Sequence, residues 1–277
     1  MALDAMEVLY EADGLPAYEL PAELRDAYGG PLGFPEHRVF ANFVSTLDGV
    51  VAIPGTVQSN KAIRAGSEAD RFVMALLRAC ADVVVIGSGT LRGSPRTRWT
   101  PVHAYPPAAE ALGELRRRRG QPPEPQLAVL TGRGSLDPAH PALLAGALVL
   151  TTDSGAAALR SSLPPASTVV NLGQGTRVDP GRALQALRER GHRLILSEAG
   201  PRAFGSLLAA GLVDELFLTT SPLIAGRPGH STRLGLVEGA DLVPGSRLPA
   251  RLLSVRREAA HLLLRYEFPS PGSQPVG

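Results

Sequence analysis

The chain has 277 residues, one cysteine and a formal net charge of +2, with 28 basic side chains nearly balancing 26 acidic ones. That length buries about three-quarters of the unfolded surface, so a full core needs no staples, and one thiol excludes an internal disulfide framework or a cysteine-rich zinc site. Balanced charge and only 5% aromatic residues argue against a nucleic-acid partner.

No apolar run approaches the roughly 20 residues of a membrane span. Residues 1–14 carry Asp4, Glu7, Glu11 and Asp13 and no basic stretch, unlike a signal peptide. The expectation is a soluble cytoplasmic protein.

Residues 1–37, rich in proline, glycine and acidic residues, read as an N-terminal extension with at most a short helix over 22–28. It packs on, or reaches across, a main domain spanning 38–277. Residues 38–44 form the first strong strand, with Val39, Ala41 and Phe43 set against Phe40, Asn42 and Val44. It runs into Ser45-Thr46-Leu47-Asp48-Gly49, whose Asp-Gly pair is a common turn. Ser67-Glu68-Ala69-Asp70 then resembles a capping box. Phe72, Val73, Leu76, Leu77 and Cys80 follow on one helical face, which makes Cys80 a buried structural thiol rather than a nucleophile.

Val83-Val84-Val85-Ile86 has no polar alternation and suits a strand buried on both faces of a parallel sheet. It breaks at Gly87-Ser88-Gly89-Thr90, with Arg92 beyond. Two glycines let a ligand approach backbone N–H groups, and such turns at the carboxyl ends of strands bind phosphates. A plain strand-to-loop turn would read the same in isolation. The helix over 108–119 ends in Arg116–Arg119, a run that reads as a solvated end complementing the helix dipole.

Further strands at 127–130, 148–150 and 168–170 end in Thr131-Gly132-Arg133-Gly134, Thr151-Thr152-Asp153-Ser154 and Leu172-Gly173-Gln174-Gly175. Asp179-Pro180 caps a helix over 182–190. Residues 194–197 form another strand, ending in Glu198-Ala199-Gly200-Pro201, and a helix over 202–210 follows. This second phosphate-ready turn points to a nucleotide or dinucleotide. A strand over 214–220 and an antiparallel pair over 251–257 and 261–268 complete an α/β domain: a mostly parallel central sheet, helices on both faces, and an antiparallel C-terminal edge pair.

Five segments in register resemble one family. They are Thr46-Leu47-Asp48-Gly49, Ser67-x-x-Asp70-Arg71 running into Leu76-Leu77-Arg78-Ala79, Val85-Ile86-Gly87-x-Gly89-Thr90, Ser197-Glu198-Ala199-Gly200-Pro201, and Ala210-Gly211-Leu212-Val213-Asp214-Glu215 with Ser221-Pro222 and Gly226 behind it. Over roughly 38–268 the chain resembles the reductase domain of bacterial riboflavin biosynthesis, within the dihydrofolate-reductase-like superfamily. The resemblance implies a dimeric reductase passing hydride from NADPH to a small ribosylamino-pyrimidine or related substrate. It implies that Gly87, Gly89 and Thr90 line the nicotinamide ribose and pyrophosphate, and that Ala199, Gly200 and Pro201 present the helix start to the pyrophosphate. Thr131 with Arg133, or Arg92, would meet the adenosine 2′-phosphate. Asp48 and Glu198 would face the substrate, Asp48 orienting it or relaying a proton. Asn42, Ser67, Arg96 and Arg98 complete the expected substrate contacts.

The chain departs from that pattern in three places. Asn42 stands where the family carries lysine, Gly93-Ser94-Pro95 replaces Asp-Asp-Pro, and Ala199 replaces a glycine. A same-fold reductase of a pterin or other carbonyl or imine, and a non-catalytic NADPH-binding protein, are therefore the rival readings. No companion deaminase motif is present, since that needs a pair of cysteines.

Overall fold

The computed structural model describes residues 4–230, 232–243 and 248–269. The last residues of the expected main domain, 270–277, lie outside this range. Among the described residues ten strands form one sheet: β1 (Glu7–Glu11), β2 (Arg38–Ser45), β3 (Val83–Gly87), β4 (Gln126–Thr131), β5 (Ala147–Thr151), β6 (Thr168–Asn171), β7 (Leu194–Ser197), β8 (Glu215–Thr220), β9 (Arg251–Glu258) and β10 (His261–Glu267). Their order is β1-β9-β10-β8-β2-β7-β3-β4-β5-β6. From β8 to β6 every neighbouring pair is parallel, while β8–β10, β10–β9 and β9–β1 are antiparallel.

The helices are α1 (Ala22–Tyr28), α2 (Ser59–Ile63), α3 (Glu68–Cys80), α4 (Ser88–Gly93), α5 (Pro101–Ala104), α6 (Ala109–Arg118), α7 (Pro141–Leu144), α8 (Asp153–Leu159), α9 (Pro180–Arg188) and α10 (Pro201–Ala209). Strand alternation sends side chains to two cores. On one face Phe40, Val84 and Ile86 meet Phe72, Leu76 and Leu77 of α3 and Leu112 and Leu115 of α6. On the other, Val39, Val83, Val85 and Ile195 meet Leu184 and Leu187 of α9 and Phe204 and Leu207 of α10. Both faces of the central strands are covered, which is why their sequences run apolar without a break. Among the described residues no helix is long and apolar enough to cross a membrane.

Two features differ from expectation. Residues 7–11 form β1, which pairs with β9 and moves the sheet edge outward by one strand. Its side chains are mostly exposed, so no apolar alternation marked it. Met6, Leu24, Leu32 and Phe34 nonetheless join the α3-side core. The segment is fixed further by Arg265, whose guanidinium donates to the Gly33 carbonyl, bonds Glu215, and lies over the rings of Phe34 and Phe217.

The arginine run at the end of α6 is corrected in part: Arg117 and Arg118 are exposed, as expected, whereas Arg116 and Arg119 turn inward. Arg116 is buried, and its Nη1 donates to the carbonyls of Arg78, Ala79 and Ala81 while Nε reaches Pro122. Arg119 donates to the Cys80 carbonyl. These side chains satisfy the open carbonyls at the end of α3 rather than facing solvent.

Candidate active site

All parallel strands end on one rim, and the two glycine-bearing turns meet there. β3 and β7 are neighbours, with Val85 opposite Ser197, and the Glu198 N–H donates to the Val85 carbonyl at 2.9 Å. The turn after β3 continues as α4, so Gly87–Thr90 is a strand end and first helical turn rather than an open loop. A Cβ placed on Gly87 or Gly89 meets nothing within 4 Å, and one on Gly200 comes no closer than 3.8 Å to Thr90 Oγ1. The three glycines therefore border open space that side chains would fill. Gly200 caps α10 without a side-chain partner and Pro201 begins its first turn, so the N-terminal N–H groups and positive dipole end of α10 face this gap. Ala199 is fully buried beneath it.

On the α3 face of the same rim sit Asn42, half-buried in β2, and Glu198 at the end of β7. Glu198 does not project freely. Arg78 of α3 grips it with Nε at 2.8 Å and Nη2 at 2.6 Å, the two side chains being 3% and 9% exposed. Arg78 also donates to the Thr100 carbonyl.

Sequence reasoning missed Asp70, in the first turn of α3. It is fully buried, and burial pushes its carboxyl above the usual range; Thr219 and Arg64 offset part of that shift and nearby Glu198 adds to it. The signal was an acid on the same helical stripe as Val73 and Leu77, which the capping-box reading absorbed.

Asp48 is placed differently from expectation. Its carboxylate accepts from Thr46 Oγ1 at 2.6 Å and from the N–H groups of Ala225 and Gly226 at 2.9 and 2.8 Å. The Thr46 hydroxyl and these two N–H groups hold its pKa down to about 2. It fastens the segment after β8 to the turn after β2. That segment is held again by Leu223 to Leu47, by Leu234 to Val51 and Ala52, and by Glu238 to Pro201.

The remaining expected contacts divide. Ser67 caps α3, accepting from the Asp70 N–H, and donates to Glu258, so its hydroxyl is already committed. Arg98 pairs with Glu124, in the segment leading into the opposite end of β4, and is not brought to the rim. Arg96 is exposed. Thr131 is buried with its hydroxyl accepting from the Gly134 N–H, so it shapes the turn after β4 instead of presenting a donor outward. Arg133 projects from that turn into solvent, and Arg92 leans toward the Ser135 carbonyl beside it.

Residues 37–252 match the model of the RibD C-terminal domain. The chain belongs to the RibD C-terminal domain family. A 2,5-diamino-6-ribosylamino-4(3H)-pyrimidinone 5′-phosphate reductase from Archaeoglobus fulgidus is 28% identical over 191 residues, covering 68% of this chain and 81% of that protein. A pyrimidine reductase-like protein from Corynebacterium diphtheriae shares the fold with a TM-score of 0.67 at 20% identity, covering 89% of this chain and 98% of that one. RibD from Acinetobacter baumannii superposes with a TM-score of 0.63 at 18% identity; the alignment covers 90% of this chain but 61% of the longer RibD chain. Family membership makes this chain an oxidoreductase of the pyrimidine-reductase kind.

Proposed function

We propose that this protein reduces a ribosylamino-pyrimidine phosphate, or a closely related heterocycle, with NADPH as hydride donor. The observation that carries the reading is the meeting of the Gly87–Thr90 and Glu198–Pro201 turns at the ends of adjacent strands, with Gly87, Gly89 and Gly200 bordering open space. Those three glycines, Thr90 and the N-terminus of α10 suit a pyrophosphate. When bound, the nicotinamide supplies the hydride, and the chain supplies position and protons. Asn42, Asp70 and the Arg78-held Glu198 border the substrate side. Asp48 acts indirectly, by fixing the loop after β8 at Ala225 and Gly226 over the β2–β8 part of the rim.

The reading includes a cytoplasmic homodimer. Among the described residues no strand pairs with the outer side of β1, which exposes Val8, Leu9 and Tyr10, an apolar edge suited to a second copy. Light scattering that finds only monomer at assay concentration removes that part.

The test is NADPH oxidation with the diaminopyrimidinone and the aminouracil ribosylamino phosphates, run beside dihydrofolate. Turnover of either phosphate supports the assignment. A second reading, reduction of a pterin-like ring, is favoured by buried Asp70 and by Asn42 and Gly93-Ser94, which leave a substrate phosphate short of charged partners. Turnover of dihydrofolate alone selects it, and tight NADPH binding without turnover leaves a sensor.

A further inference from the structure

The rim at the ends of β3 and β7 has an open side and a covered side. Toward β2 and β8 the rim is overlaid by the segment held through Asp48, Leu234 and Glu238. Toward β4, β5 and β6 the rim carries three short turns locked by glycines. A Cβ on Gly132 would lie 2.4 Å from the Thr176 carbonyl oxygen and 3.3 Å from the Arg177 Cα. One on Gly134 would lie 2.4 Å from the Gly155 carbonyl oxygen, and Thr152 Oγ1 donates to the Gly132 carbonyl at 2.7 Å. The turns after β4 and β6 thus touch at Gly132 and Arg177, and Arg133 is the next residue along. Neighbouring strands are about 4.8 Å apart, so a dinucleotide with its pyrophosphate over β3 reaches these turns with its adenosine half.

Arg133 and Arg177 are both exposed, and neither pairs with a carboxylate among the described residues. The nearby acids are already engaged. Asp137 accepts from the Ala139 N–H, Asp153 from Asn171 Nδ2, and Asp179 caps α9 through the Arg182 N–H. Two guanidinium groups on interlocked turns, without counterions, suit a phosphate monoester dianion.

We propose that Arg177, a residue the sequence pattern did not single out, joins Arg133 in a two-turn clamp that selects a 2′-phosphorylated dinucleotide over its unphosphorylated form. The proposal rests on the NADPH reading and goes further, since it assigns the selectivity to two loops rather than one.

The experiment measures dissociation constants of NADPH, NADH and 2′,5′-ADP for the wild type, Arg133→Gln, Arg177→Gln, the double variant and Arg188→Gln, with thermal melts on each. Each single variant should weaken NADPH and 2′,5′-ADP by about tenfold and leave NADH unchanged. The double variant should bind NADPH and NADH alike, with a shallower salt dependence. Arg188→Gln, which removes the same charge at the far end of α9, should change nothing. The clamp is overturned if Arg177→Gln leaves NADPH binding intact, weakens NADH equally, or does no more than Arg188→Gln. Wild-type protein that binds neither dinucleotide overturns the cofactor reading as well. Wild-type protein that prefers NADPH, with Arg177→Gln unaffected, removes the clamp alone.

Discussion

Arg78 and Glu198 face each other across the gap between α3 and the end of β7, two guanidinium N–H groups on two carboxylate oxygens. Both side chains are nearly sealed from solvent. The pair joins the α3-side core to the rim where the glycine turns meet.

Removing one member leaves the other charged and buried, which costs about 3–5 kcal/mol. Arg78→Ala and Glu198→Gln should therefore both lower the melting temperature, and the double variant should lose less than the sum of the two. If Glu198 also serves the substrate, Glu198→Gln will lower kcat beyond what a stability-matched core variant loses. NADPH affinity should hold, because the backbone of Ala199 and Gly200 remains. Calorimetry and steady-state kinetics on the three variants check this, and simple additivity of the two losses would contradict the coupling.

Asp48 makes a prediction in acid. Its carboxyl is held near 2 against an ordinary 3.8, so the stabilisation it adds is present above the ordinary value and is lost as pH falls through about 2. Wild-type protein should therefore lose its stability advantage over Asp48→Asn between those two pH values, measured by denaturant midpoints at each pH. At neutral pH the same variant loosens the segment after β8, so kcat should fall while NADPH affinity changes little. An unchanged kcat would remove Asp48 from the reaction.

Much of this was legible because burial and periodicity coincide. The Val83–Ile86 run has apolar neighbours on both faces, and the glycines after it fall at a strand end that borders open space. Element bounds shifted by only a residue or two at α6, α9 and α10. What sequence could not reveal were partners distant along the chain. Glu198 looked free because Arg78 lies 120 residues away, and Asp48 looked free because Ala225 and Gly226, which donate to its carboxylate, belong to another loop. Arg116 looked solvated because the carbonyls it serves belong to the end of α3. Strand β1 was hidden because an edge strand with exposed side chains carries no alternation.

Cys80 gives a simple check on the core. Burial pushes its thiol up to about 11, and the residue is fully enclosed under α6 and the N-terminal segment. Because the thiolate is the reactive form, the folded protein should resist an aromatic disulfide reagent at neutral pH and react stoichiometrically in denaturant. Rapid labelling of the native protein would show that α3 opens at its C-terminal end.

The glycines separate two kinds of site in one experiment. Gly87 and Gly89 have negative-φ backbone, and a Cβ at either would meet nothing within 4 Å, so valine at either position should fold with melting temperatures near wild type. Gly132 and Gly155 have no such room: a Cβ would lie 2.4 Å from the Thr176 carbonyl oxygen and 1.9 Å from Thr151 Oγ1, respectively. Alanine there must push apart the interlocked turns after β4, β5 and β6, an overpacking cost of about 1–3 kcal/mol. Gly89→Val should thus abolish NADPH binding with stability intact, because its side chain enters the space the cofactor needs, whereas Gly155→Ala should lower stability first. A Gly89→Val protein that binds NADPH normally would move the cofactor away from the β3–β7 junction.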